Sequence, residues 1–334
     1  MSTIHSSELS SSELCMLWTT YVEDSLALCV LNHFSSVVED PDVNEIIQFA
    51  KKISSEHLVF IQGLFKKEEI PVPQGFSNHD WIEGAPRLFS DVFNLRYLGH
   101  MGRSGLCMYG AAKGTSSRED VRSFFTTCLN QASELYDRVT NMMLEKGVHV
   151  RSPMITYPKA VEFVENEHFL SPGFLSEKRP LLANEIAHLS LNIETNSIGM
   201  TLLLGFAQCT QDEETKKYIT RGFEIAKKAT EVFSSILRTQ NIPAPGTWDS
   251  TVTDSTVPPF SDKLMLFHVN MLTAMGIGNY GMAMGASMRL DLGAQYGRLL
   301  AESGKYAEDG ANLMIKKGWL EKPPQALDRD KLIK

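Results

Sequence analysis

The sequence predicts an all-α protein built from two tandem copies of one four-helix bundle, each with a long crossover between its second and third helices. Three observations predict it. Stretches of helical apolar spacing fill the chain with few strand signals, the same landmarks return once at a constant interval, and the breaks between helices run short, long, short in each copy. Ile70-Pro71-Val72-Pro73 returns as Ile242-Pro243-Ala244-Pro245, a shift of 172 residues (242 less 70). Phe89-Ser90-Asp91 returns as Phe260-Ser261-Asp262, Tyr109-Gly110 as Tyr280-Gly281 and Glu145-Lys146-Gly147 as Lys316-Lys317-Gly318, each shifted by 171 (280 less 109). One ancestral domain has been doubled, so a site essential to it should stand in both copies or be visibly worn in one.

In the first copy, helical spacing runs over residues 9–38 and stops at Asp40-Pro41, and a second run covers 43–67. Residues 68–87 hold Pro71, Pro73, Gly75, Gly84 and Pro86, which cannot continue a helix but can run extended. A third helix begins near Leu88, with Ser90 as a cap and Asp91 facing the positive end of the dipole, and closes at Gly114. Ser117 with Asp120 resembles a capping box for a fourth helix that stops at Gly147. The second copy repeats the order over 184–209, 212–239, 261–288 and 289–317. Between the copies Pro153, Pro158, Pro172 and Pro180 mark a linker, with a short helix expected at 159–167. The domain limits are therefore 1–157, 158–180 and 181–334.

The crossover decides the topology. A helix of about 26 residues is roughly 40 Å long, and twenty extended residues reach about 66 Å, enough to return along the bundle. Helices 2 and 3 of each copy are then parallel, which is the layout of ferritin-like bundles.

Composition narrows the function classes. The 334 residues suit two domains, and a formal charge of -8 without a basic stripe argues against nucleic acid or an anionic membrane as partner. The five cysteines (Cys15, Cys29, Cys107, Cys128 and Cys209) form no Cys-x-x-Cys pair and read as reduced, buried thiols. Residues 1–8 lack a basic start and an apolar core, so a cytoplasmic chain is expected. Residues 264–288 carry no Asp, Glu, Lys or Arg and contain Gly281-x-x-x-Gly285. Their first-copy counterparts include Arg96, His100, Arg103 and Lys113, which are costly in hydrocarbon, so this stretch reads as a soluble bundle helix without membrane insertion.

Ferritin-like bundles often hold two metal ions, which need a Glu from each of two helices and a Glu-x-x-His from each of the others. Iron or manganese is thus the cofactor to test. The chain has one helical Glu-x-x-His, Glu185 to His188, whose first-copy counterpart is Glu13-Leu14-Cys15-Met16. Glu194 adds a carboxylate on an apolar face, so Glu185, His188 and Glu194 are the weak metal candidates. The third helices offer only Asp91 and Asp262 at their starts, where capping accounts for them, and His57 aligns with Ala229. A paired metal centre is therefore not expected, and no cofactor or catalytic residue is assigned. Walker-type loops, Gly-x-Ser-x-Gly and dinucleotide fingerprints are absent in a strand-to-helix context. Gly99, Gly102 and Gly105, with Gly278 and Gly281, read as packing surfaces, while Tyr109 and Tyr280 recur as if their hydroxyls shared a partner or lined a cavity.

Several segments carry a resemblance: Lys178-Arg179-Pro180-Leu181, Glu185-Ile186-Ala187-His188-Leu189, Trp248-Asp249-Ser250-Thr251-Val252-Thr253-Asp254, Pro259-Phe260-Ser261-Asp262-Lys263-Leu264-Met265 and Tyr306-Ala307-Glu308-Asp309-Gly310-Ala311-Asn312. They resemble a duplicated, uncharacterised family of spore-forming Bacillus-type bacteria, loosely related to the coat F type of spore coat protein. The resemblance implies ferritin-like bundles and a non-enzymatic structural or interaction role in sporulation, with other spore-coat or cytoplasmic proteins, or a second copy in a homodimer, as partners. It supplies no catalytic residues. Where family members show a histidine in the second copy's helix 2, this chain has Ala229, which weakens the metal reading. A ferritin-like redox protein and a carrier of a small apolar ligand are the competing classes.

Overall fold

The computed structural model describes residues 8–170 and 178–333. The first copy holds α1 (Ser11–Val37), α2 (Pro41–Lys67), α3 (Asp91–Gly114) and α4 (Glu119–Glu145). The second holds α5 (Ala183–Cys209), α6 (Glu213–Arg238), α7 (Asp262–Ala286) and α8 (Leu290–Lys316), and a single turn, α9 (Arg329–Ile333), follows. The helix starts are chemically marked. Ser10 and Glu13 form a capping box on α1, Asp40 accepts from Asp42 N and Val43 N ahead of Pro41, and Asp212 and Ser261 accept from Thr215 N and Leu264 N. Gly147 and Gly318, both at φ 68°, follow the ends of α4 and α8 in the left-handed conformation that glycine adopts without penalty.

Two local expectations fail. The short helix at 159–167 does not form; only a 3-10 turn at Glu167–Phe169 is present, capped by Asn166. The apolar residues Val161, Phe163 and Val164 are exposed, so no buried face offsets the cost of helix nucleation there. At the start of α4, Asp120 accepts from Val121 N and pairs with Arg118, and the cap comes from another helix, as described below. The N-terminal eight-residue reading falls on residues of which 1–7 lie outside the described set, as does 171–177 of the linker.

The helices divide between two units. The first comprises Met1–Ala85, Asn94–Glu145 and Gly318–Lys334, and the second Pro86–Phe93 and Lys146–Lys317. Within the first, side-chain pairs fix the helix directions. Asp24 meets His57 and Ser35 meets Asn44 across α1 and α2; Phe60 stacks on Phe124 and Phe49 on Arg138 across α2 and α4. Gly99 faces Val139 and Gly105 faces Ala132 across α3 and α4, and Phe34 meets Tyr97 across α1 and α3. Every one of these neighbours is antiparallel, so α2 and α3 run the same way, as the crossover length requires. The second unit repeats the pattern through Tyr218 and Tyr306, Phe233 and Tyr296, Asn196 and Tyr280, and Asn270 beside Gly310.

The Pro-rich connections are held, not loose. In the second unit Ser90 N donates to Thr251 O and Thr253 N to Leu88 O, and Phe89 lies against Phe206. In the first, Gln74 N and Gly75 N donate to the Glu321 carboxylate. Gly75, at φ 57°, is a position only glycine fills, because a Cβ would lie 2.5 Å from Ser25 Oγ. Among the described residues α1, not the uncharged 264–288 stretch, is the helix long and apolar enough to cross a membrane, and 61% of its apolar window is buried inside the protein.

Candidate functional site

Glu185 is at the start of α5 and its carboxylate is spent on the protein. Oε1 accepts from Arg179 Nη2 at 2.8 Å and from Arg289 N at 3.1 Å; Oε2 accepts from Arg179 Nη1 and Leu182 N, both at 2.9 Å. Burial alone would raise this carboxyl, but the guanidinium and the two backbone donors outweigh it and hold it below the ordinary range. The first copy repeats the device. Glu13 Oε1 accepts from Ser117 N and Arg118 N at 2.7 Å each, and Oε2 from Ser10 N at 2.8 Å. Burial works against the charge, yet these N–H groups bring Glu13 down to about 2. In both copies one carboxylate therefore caps its own helix and the first residues of the fourth, closing the bundle end with charged hydrogen bonds.

His188 is half-buried one turn on, its carbonyl accepting from Asn192 Nδ2, and Glu194 is half-buried about 13 Å of helix rise beyond Glu185. The structure does not bring the three together. Among the described residues no group of three or more His, Cys, Asp or Glu side chains is placed to hold a metal ion. The residues present do not suit a paired-ion centre, because the one Glu-x-x-His glutamate is a cap.

Sequence reasoning missed a different cluster, at mid-height of the first unit, to which all four helices contribute. Asp24 (α1) accepts through Oδ2 from His57 (α2) Nδ1 at 2.9 Å, both side chains being almost fully buried. His57 Nε2 is 2.9 Å from Gln131 Oε1 (α4), and Gln131 Nε2 donates to Glu56 at the surface. The imidazole is gripped edge-on by Tyr109 (α3) and Phe124, with centroids 5.6 and 5.5 Å away, and the Cys128 thiol lies beside it. Burial pushes the imidazole toward neutrality, but the Asp24 charge and hydrogen bond dominate and raise His57 to about 11. With both nitrogens donating, it is an imidazolium at neutral pH, a poor metal ligand. Burial and the Asp24 charge raise the Tyr109 hydroxyl well above its usual value, and burial raises the Cys128 thiol, so neither is a ready nucleophile.

The second copy solves the same position without charge. Asn196 stands for Asp24, Ala229 for His57, Tyr280 for Tyr109 and Leu299 for Cys128. Tyr280 donates to Asn196 Oδ1 at 2.9 Å, and Phe233 and Tyr296 fill the space beside Ala229. The recurring tyrosine thus has a structural partner in the second copy. The missed signal was the register: Asp24 and His57 differ from their counterparts together, as a bonded pair must.

Glu23 adjoins this cluster. Burial, with the Asp24 charge adding, raises its carboxyl to about 8. A folded-state value above the usual 4.5 means that Glu23 favours the fold most below pH about 4.5 and progressively less as pH rises through 8. Glu23→Gln is accordingly expected to melt higher than the parent at pH 8 and to match it near pH 4.5. A variant melting lower at both values would refute the burial of charge.

A family model described as protein of unknown function (DUF3231) matches residues 2–161 and again 171–332. Comparison with curated proteins returns no match. Among solved structures the chain is similar to a putative spore coat protein from Bacillus halodurans, at 20% identity and a TM-score of 0.42, over 45% of this chain and 98% of that one.

Proposed function

This chain belongs to the DUF3231 family, whose domain it carries twice, and on that premise we propose that it is a non-enzymatic structural or interaction protein of two ferritin-like bundles, made in the cytoplasm and incorporated into the spore. One observation carries the non-enzymatic part: His57 in the first bundle and the glutamate at the start of each bundle are already bonded within the protein. Asp24 and Gln131 take both nitrogens of His57, and Glu13 and Glu185 are consumed as caps. Groups so engaged fix helix register and are not themselves open to hold a metal or attack a substrate. The segment resemblance from Lys178-Arg179-Pro180-Leu181 to Tyr306-Ala307-Glu308 supports the spore association.

Two experiments test the parts separately. Protein purified without chelator is expected to hold iron and manganese far below one ion per chain; stoichiometric metal would establish the redox class instead, and an apolar molecule retained in native mass spectrometry the carrier class. A fluorescent fusion in a sporulating Bacillus-type host is expected to move from cytoplasm to the forming spore with other coat proteins. Uniform signal in growing cells, with none in purified spores, would remove the spore role.

A further inference from the structure

We propose that Pro86–Phe93 is a plug by which the first copy of the domain binds the second, so that a chain severed in its linker stays one particle. The proposal is independent of the spore reading above and can fail without it. By sequence these residues close the crossover of the first copy, yet they fold within the second unit. The chain on either side of them, Met1–Ala85 and Asn94–Glu145, folds within the first. The first copy is thus threaded into the second at mid-length, where cutting the linker does not release it.

The plug has the contacts of a core. Leu88 and Phe89 are buried; Phe89 stacks on Phe93 with ring centroids 4.4 Å apart and lies 6.4 Å from Phe206 of α5. Gly205 is the socket: a Cβ there would stand 2.6 Å from Phe89 and 3.3 Å from Leu88, so a larger residue excludes the plug. Backbone pairing fixes the register. Ser90 N donates to Thr251 O at 3.0 Å, Thr253 N to Leu88 O at 2.9 Å and Thr253 Oγ1 to Arg87 O at 2.7 Å. The receiving segment is itself held to α5, because Gln208 Nε2 donates to Thr253 O at 2.8 Å and to Ser255 O at 2.6 Å. Apolar anchors in a fitted socket give affinity and main-chain hydrogen bonds give orientation, which together make a specific interface. A tie runs the other way too, since Glu321, beyond the end of α8, accepts from Gln74 N and Gly75 N of the first copy. By contrast residues 154–168 of the linker are exposed throughout, so a cut there removes no packing.

A site-specific protease sequence inserted between Pro158 and Lys159 of the full chain, and cut after folding, tests it. At about 1 µM the two fragments of the parent are expected to elute together at the mass of the uncut chain, with its helical circular dichroism. Phe89→Ala, which empties the socket, should weaken the cut pair at least about tenfold in Kd, and Gly205→Leu, which blocks it, at least as much. Circular dichroism of each uncut variant, still tethered, separates loss of the plug from loss of the fold. Thr253→Val removes only the hydroxyl's bond to Arg87 O and should weaken the pair about threefold, so the test stands even where a larger change costs helix. Parent fragments that separate at about 1 µM overturn the proposal. Folded Phe89→Ala, Gly205→Leu and Thr253→Val chains that hold together after the cut as tightly as the parent overturn it too, by placing the interface elsewhere.

Discussion

Glu185→Gln is expected to destabilise the second unit by about 2–4 kcal/mol, the cost of leaving a partly buried guanidinium and two backbone donors with a weaker acceptor. Glu13→Gln should cost the first unit a similar amount, since Ser10, Ser117 and Arg118 all donate to that carboxylate. The pH dependence follows from the depressed acids. Glu13 falls from 4.5 to about 2 in the fold, so its contribution is complete above pH about 4.5 and disappears as pH drops through 2. Glu185 is lowered too and shifts the same way. The gap in unfolding free energy between parent and Gln variant should therefore close between pH 5 and 2, measured by urea unfolding followed by helical circular dichroism. A gap independent of pH would mean that shape, not charge, makes the cap. If Glu185 were instead a metal ligand, the variant's loss would disappear when both proteins are compared after chelator treatment.

What could be read from the residues divides along a physical line. Helix positions were legible because capping side chains, glycine stops and apolar periodicity are local, and the parallel run of α2 and α3 was legible because a chain has a fixed reach. The duplication supplied the rest of the architecture. Side-chain destinations were not legible. Glu185-Ile186-Ala187-His188 has the spacing of a ligand pair, but a glutamate three residues into a helix has a nearer use, the N–H groups at its own start, and here those of a second helix too. The counterpart Glu13 was the available clue: a carboxylate present in both copies where the histidine is not points to structure. His57 misled in the opposite direction. Aligned with Ala229 it looked dispensable, whereas its partner Asp24 is 33 residues away in sequence and the pairing exists only once α1 and α2 are side by side. The same limit applies to α7, where spacing cannot distinguish glycines covered by α4 in one copy from glycines left open in the other.

His57→Ala should be among the most damaging single substitutions in the first unit, and Asp24→Asn together with it should repair most of the damage. Alone, His57→Ala strands the Asp24 carboxylate in the bundle interior, at a cost of about 3–5 kcal/mol. The second copy has already met that difficulty with Asn196 opposite Ala229, where Tyr280 donates to the asparagine. Asp24→Asn/His57→Ala transplants that arrangement, with Tyr109 in the place of Tyr280, so the double variant should be more stable than His57→Ala by about 2 kcal/mol or more. A deficit of about 1–2 kcal/mol should remain, because Phe233 and Tyr296 fill the second copy's space while the first would be left with a void beside Phe124 and Phe125. The parent's own pH profile separates charge from shape. His57 rises from 6.5 to about 11 on folding, so its contribution is whole below pH about 6.5 and declines steadily until 11. The parent should therefore lose stability across that window faster than the double variant, in which every other titrating group is shared. Parallel profiles, or single and double variants of equal stability, would show that Asp24 and His57 do not act as a bonded ion pair.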